Sequence, residues 1–297
     1  MKHKSYSNNL VVITDDNKSR LFRVDDSGEK KRLVVVDFLP AVQKFIKIYP
    51  LHNLIVTPEK LYTLQGAMIK EGSFDLAEII RFARTILICS KLSENKYNIS
   101  FWNGEEMLQS RSVSNVVYND KYIATYDNAK WNFFDGEGNL LQTFYKDVSS
   151  VRICGDTAIF DEVGNHSAYS IKTGSCLMSK QMIIKAGSLN DFVVGVDLSR
   201  KATVYHEGMI SFLEDVSFVE LVDEAQLLYV RYDITSNYVV YEYHDLKLFA
   251  ADVSVISYDE EQHVLLITSP SGFFEYRVSV DYNRENNTGK CRYILIN

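Results

Sequence analysis

The stretch VSNVVYNDKYIATYDNAKWNFFDGEGNLLQTFYKD begins at Val113, and VSSVRICGDTAIFDEVGNHSAYSIKTGSCLMSKQ begins at Val148, 35 residues later. Each copy reads as strand, turn, strand, turn, strand, Gly-bearing turn, strand. Val216 (VSFVELV) and Val253 (VSVISYD) open two further copies. Self-similarity at a fixed period constrains the fold more than any other feature of this chain. One supersecondary unit recurs, and neighbouring copies must bury each other's apolar faces in a continuous core.

Two registers define the repeat. The second strand of each copy aligns as LVVITD (10–15), LIVTPE (54–59), ILICSK (86–91), YIATYD (122–127), TAIFDE (157–162), FVVGVD (192–197), LYVRYD (228–233) and VLLITS (264–269). From Lys91 onward their ends recur every 35 or 36 residues. These are short apolar runs bounded by turn residues, the pattern of strands buried on both faces. A glycine turn follows the third strand at Gly28, Gly66, Gly104, Gly138, Gly174 and Gly208, with His244-Asp245 in its place in the seventh copy. In the eighth copy a long polar loop is expected over 280–290. Residues 73–86 could form an amphipathic helix with Leu76, Ile79, Ile80 and Ala83 on one face, but the register places a strand at Glu78 to Phe82. With four prolines and no linker composition, the expectation is one all-β domain over residues 1–297. It would hold eight four-stranded units, with seven as the alternative.

The units resemble blades of a β-propeller, and the nearest family pattern is the WD-repeat type. NFFDGEGNLLQTF and AYSIKTGSCLMSK look like that family's third strand, glycine turn and outer strand, and VSSVRI looks like its innermost strand. ISFWNG (99–104) and FFDG (133–136) are the closest approaches to its Trp-Asp dipeptide. The resemblance implies a divergent propeller in which radial packing of short sheets protects their faces and edges.

Composition excludes several classes. A net charge of −7 and a pI near 5.5 lack the basic face of a general nucleic-acid binder. The apolar run Leu10 to Ile13 is too short for a signal-peptide core, and no run approaches a membrane span. Cys89, Cys154, Cys176 and Cys291 form no CxxC pair. They read as reduced, mostly buried thiols, as in the cytoplasm.

Carboxylates recur at one place in the repeat. Asp15, Glu59, Asp127, Glu162, Asp197 and Asp233 follow second strands, and Asp37, Asp75, Asp147, Asp215 and Asp252 precede opening strands. In a propeller these two turns share a face. An Asp in a tight turn caps local backbone N–H groups, yet it keeps its charge. Asp127, Glu162, Asp197, Asp233, Asp147, Asp215 and Asp252 are therefore the candidate binding residues, an acidic face for a basic protein partner. DGEGN (135–139) has too few ligands for a calcium loop and reads as a plain turn. The six histidines show no metal spacing, and no nucleophile elbow, P-loop or dinucleotide fingerprint occurs. No cofactor and no catalytic residue is expected.

The expected function is thus a non-enzymatic protein-interaction scaffold with loops on two faces. One alternative is a structural part of a larger particle, such as a viral tail or a multiprotein machine. A propeller hydrolase or lyase would need acidic, His or Arg side chains on the innermost strands. Arg81 and Arg152 lie on such strands but are scattered.

Overall fold

A computed structural model describes all residues except 1, 7–8, 17, 28–29, 75–76, 149, 188–191, 207, 233–236, 244, 284–287 and 297. The described residues form eight four-stranded antiparallel sheets, each a meander of consecutive strands. They span residues 2–35, 47–71, 78–113, 115–144, 151–181, 183–213, 218–253 and 255–295. Of the described residues, 63% are in strands and 2% in helix. The fold class is all-β, built of eight β-propeller-type blades, numbered 1 to 8 here in chain order. Contacts group the chain into two compact units, Met1–Leu140 and Leu141–Asn297, divided within the fourth strand of blade 4, Leu140–Phe144.

All eight second strands stand where the repeat places them, and they are the most buried elements. Blade 7 shows why their apolar runs are continuous. In its second strand, Leu227–Arg231, alternate residues point to opposite faces. Leu228 and Val230 pack with Phe192, Val194 and Val204 of blade 6. Leu227 packs with Leu265, Ile267 and Val278 of blade 8. Fully burying one such side chain contributes about 1.5–3 kcal/mol. The same alternation in blade 4 sends Ile123 and Phe134 to Phe101 and Leu87 of blade 3.

The Val-Ser dipeptide is the joint between blades. The repeat suggested that its valine opens each first strand. Instead Val113 and Val253 are the last residues of the preceding fourth strands, Met107–Val113 and Leu248–Val253. Both valines and Val216 are buried. The next residue turns into the following blade and donates its N–H to a second-strand carbonyl there: Ser114 to Tyr126 (2.8 Å), Ser217 to Arg231 (2.8 Å) and Ser254 to Thr268 (2.8 Å). The Ser217 hydroxyl donates to the Arg231 carbonyl as well, at 2.7 Å. In blade 6, Met182 makes the same bond to Val196 (2.7 Å). The joint rests on a backbone N–H that any of these residues supplies, and the Val-Ser copies place a buried apolar plug before it.

Glycines Gly66, Gly104, Gly138, Gly174 and Gly208 all sit at positive φ between third and fourth strands. Gly28 lies outside the described residues. At Gly138, φ is +87° and an added Cβ would stand 3.1 Å from the Phe101 ring. In blade 7, where the glycine is missing, Leu246 takes the left-handed conformation instead (φ 51°).

The 73–86 segment holds the strand Glu78–Arg81, not a helix. The polar stretch 280–290 is mostly not a loop. The third strand of blade 8 runs Gly272–Asn283 and the fourth Thr288–Leu295, paired from Tyr276↔Leu295 to Asn283↔Thr288. LIVTPE stops as a strand at Val56. Thr57 turns the chain there, its hydroxyl donating to the Lys60 carbonyl at 2.8 Å. Trp102 ties blade 3 to blade 2, its indole N–H donating to the His52 carbonyl at 2.8 Å. All four cysteines are free thiols. Cys89 and Cys291 are buried, Cys154 is half-buried and Cys176 is exposed. Among the described residues no helix is long and apolar enough to cross a membrane.

Candidate interaction surface

The turn between second and third strands positions the first set of carboxylates. Asp127 ends the strand Tyr122–Asp127 and pairs in register with Lys130. Its Oδ2 accepts from the Asn128 side-chain amide at 2.9 Å. The guanidinium of Arg111, packed 4.1 Å from the Phe134 ring centroid, lies in the field of Asp127. Burial lowers the Arg111 pKa and the Asp127 charge opposes that shift.

Glu162, in the second unit, ends the strand Thr157–Glu162. Lys146 donates to its Oε1 at 2.6 Å and the Ser167 hydroxyl does so at 3.2 Å. The Lys146 hydrogen bond holds the Glu162 carboxyl below its ordinary range. Asp147 follows Lys146 directly and is exposed. Next to Glu162, Asp161 accepts from Arg152 (2.9 Å) and from His166 Nδ1 (3.0 Å).

Asp197 organises a turn. Its Oδ1 accepts from the Ser199 hydroxyl (2.6 Å), the Ser199 N–H (2.8 Å) and the Lys201 N–H (3.1 Å). The Ser199 hydroxyl is the largest cause of its lowered pKa. Arg200 of this turn donates Nη2 to the Asp215 carbonyl at 2.8 Å and also to the Tyr232 carbonyl. Asp215 and Asp252 sit just before the blade joints in the left-handed region, with φ 58° and 56°. The Asp252 carboxylate accepts from the Asn237 side chain at 2.6 Å. Asp233 lies outside the described residues.

The predicted residues therefore do two things. Asp197 caps backbone, as turn aspartates do, while Glu162 spends one oxygen on an ion pair. In the second unit Arg200, from the Asp197 turn, reaches the backbone carbonyl of Asp215, and Asp147 follows Lys146 in the chain. The cations were missed. Lys146, Arg200 and Lys201 interleave with the carboxylates, and Lys201 stands 3.5 Å from Glu214. Their signal was present in the sequence, since Lys146 adjoins Asp147 and Arg200-Lys201 closes the Asp197 turn. Carboxylates and cations alternate along this edge. A shallow cleft of about 300 Å³ opens in it, lined by Met182, Val196, Asp197, Leu198, Arg200 and Val216 among others.

DGEGN is a plain turn. Asp135 accepts from the N–H groups of Glu137 (2.9 Å) and Asn139 (2.8 Å).

The sequence matches no protein-family model and no curated protein. Solved structures match across most of the chain at low identity. Hsv2 from Kluyveromyces lactis is 12% identical, covering 84% of this chain and 96% of that one at a TM-score of 0.35. A eukaryotic initiation factor is 9% identical over 100% of this chain and 88% of that one, at 0.43. A chain of the mitotic checkpoint complex is 8% identical over 76% and 83%, at 0.32.

Proposed function

We propose that the chain is a non-enzymatic interaction scaffold, a single domain of eight blades over residues 1–297 that binds other proteins through its outer strands and blade edges. The observation that carries this reading is where the exposed apolar side chains lie. Fourth strands bear Leu33 and Val34 in Arg32–Val35, Leu248 in Leu248–Val253, and Ile294 and Leu295 in Thr288–Leu295. Blade 6 is the densest: in Met209–Leu213, Met209, Ile210 and Phe212 are 61%, 55% and 55% exposed. A fourth strand has one unpaired edge. Free N–H and C=O groups beside apolar side chains suit addition of a partner strand, with side-chain burial supplying affinity.

The carboxylate edge is the second surface. Asp127, Glu162, Asp197, Asp233, Asp147, Asp215 and Asp252 favour a basic protein, and their effect falls on the rate of encounter more than on affinity. A structural role in a larger particle would use the same surfaces in a permanent assembly. Hydrolase chemistry draws less support. Among the described residues three carboxylates lie on innermost strands: Glu78 accepts from the Tyr118 hydroxyl, Glu220 pairs with Lys185 at 2.5 Å, and Asp259 accepts from the N–H groups of Glu261 and Gln262 at 3.0 Å.

The test is cross-linked affinity purification from the native source, followed by binding kinetics with two variants. Met209→Ser/Ile210→Ser/Phe212→Ser should weaken the captured partner at least about tenfold, about 1.4 kcal/mol. Asp127→Asn/Glu162→Gln/Asp197→Asn/Asp233→Asn should keep the fold, slow association and flatten its salt dependence. A partner that binds both folded variants like the parent would sink the reading.

A further inference from the structure

A cleft of about 390 Å³ in the first unit is lined by the innermost strands of blades 1, 2 and 3, Lys2–Ser5, Lys47–Tyr49 and Glu78–Arg81. Each strand contributes one cation to it: Lys4, Lys47 and Arg81. Among the described residues no carboxylate lines the cleft and none of the three cations is held in an ion pair. The carboxylate nearest in sequence, Glu78, accepts from Tyr118 instead. Period-two alternation puts Ile79 and Arg81 on the cleft side. Ile80 points the other way, into the blade 3 to blade 4 core.

Three like charges around one concavity raise its potential and concentrate anions there. Their long side chains are also partly positioned. The Lys4 ammonium stands 5.3 Å from the Tyr6 ring centroid and the Lys47 ammonium 5.4 Å from that of Phe45, an attraction that limits where each can swing. Tyr6 and Tyr49 complete the polar lining. Burial raises the Tyr49 pKa and Arg81 only partly opposes it, so the phenol stays a donor. Ile46 and Ile48 are buried and form an apolar floor. His52 lines the cleft with its ring committed, Nε2 lying 2.9 Å from the Phe82 carbonyl.

We propose that this cleft binds a small soluble molecule bearing phosphate groups, with phosphate oxygens held by Lys4, Lys47 and Arg81 and by the hydroxyls of Tyr6 and Tyr49. Three cations match a group with more than one negative charge, and the arginine fork suits phosphate oxygens bidentately. The volume lies within the roughly 300–1,000 Å³ of small-molecule sites. None of its lining residues belongs to an outer strand or to the carboxylate set, so it does not depend on the scaffold reading.

The test is calorimetric titration of the full chain with sodium tripolyphosphate, with citrate as a carboxylate probe. Tripolyphosphate should bind saturably, one per chain, more weakly as salt rises, and raise the melting temperature. Lys4→Gln, Lys47→Gln and Arg81→Gln should each weaken it at least about tenfold. Lys31→Gln and Lys247→Gln, at exposed lysines outside the cleft, should not. Tyr49→Phe, which removes only a hydroxyl, should weaken binding with the melt unchanged, and it keeps the test open if a charge variant misfolds. Absence of saturable binding, equal loss in the control lysines, or citrate binding as tightly would each overturn the proposal. Sedimentation with vesicles rich in phosphatidic acid that is lost in Arg81→Gln would overturn the soluble-ligand assignment.

Discussion

Lys146 and Glu162 form the ion pair on the carboxylate edge whose energetics follow most directly from its surroundings. Their side chains are 26% and 34% exposed, so water and salt screen the attraction and a coupling of about 0.2–1 kcal/mol is expected. Lys146 is raised in pKa although burial, the largest effect on it, acts the other way; the hydrogen bond to Glu162 and the attraction of Glu162 and Tyr169 together outweigh that burial. Glu162 is depressed from 4.5, first by the Lys146 hydrogen bond. An acid depressed on folding contributes stability that is complete above its unfolded value and lost as pH falls through its folded value. A double-mutant cycle of Lys146→Met and Glu162→Gln, read by urea denaturation, should therefore show the coupling at neutral pH and lose it below 4.5. Coupling that persists unchanged in acid would mean that the pair is held by packing and not by charge.

The third-to-fourth-strand turn separates two costs at the scale of the element. Gly138 and Gly208 share a left-handed conformation, φ +87° and +84°. An alanine at Gly208 meets open space, whereas at Gly138 it meets the buried Phe101 ring. Gly208→Ala should cost about 1–2 kcal/mol, the left-handed penalty alone. Gly138→Ala should cost that plus about 1–3 kcal/mol of overpacking. Equal melting temperatures for the two variants would show that the Phe101 ring yields freely. These turns were legible in the sequence because their left-handed backbone selects glycine, and the second strands were legible because burial on both faces leaves continuous apolar runs. The hairpin over 280–290 was not, since polar residues in an extended strand pair look like a loop when no apolar face marks the period. Lys4 and Lys47 escaped notice for a related reason. A lysine on an innermost strand carries no local signal, and only the packing of three blades brings it to Arg81. The cations beside Glu162 and Asp197 were adjacent in sequence, and reading the carboxylates alone left them out.

At the scale of the molecule, among the described residues every sheet is built of consecutive strands, and neither blade 1 nor blade 8 takes a strand from the other end of the chain. The fourth strand of blade 8, Thr288–Leu295, therefore has no substitute among the described residues. It pairs along the twelve-residue third strand, Gly272–Asn283. It also reaches blade 7. Cys291 is buried in the core between the two blades, and its N–H donates to Gln226 Oε1 at 3.1 Å. The Tyr293 hydroxyl donates to the Ala225 carbonyl at 2.6 Å, and burial drives the pKa of that phenol strongly upward. Deleting residues 291–297 removes these bonds, uncovers Val278 and leaves a long unpaired strand edge. One buried hydrogen bond contributes about 1 kcal/mol and one fully buried side chain about 1.5–3 kcal/mol. The sum is a large share of a typical stability of about 5–15 kcal/mol, and the exposed edge favours aggregation. The truncated chain should be insoluble or melt far below the parent. Tyr293→Phe, which removes only the hydroxyl, should cost about 0.5–1.5 kcal/mol and remain soluble. If the truncated chain melts like the parent while Tyr293→Phe is destabilised, the bond to Ala225 matters locally but the strand does not complete the blade, and the repeat would have to close one strand earlier.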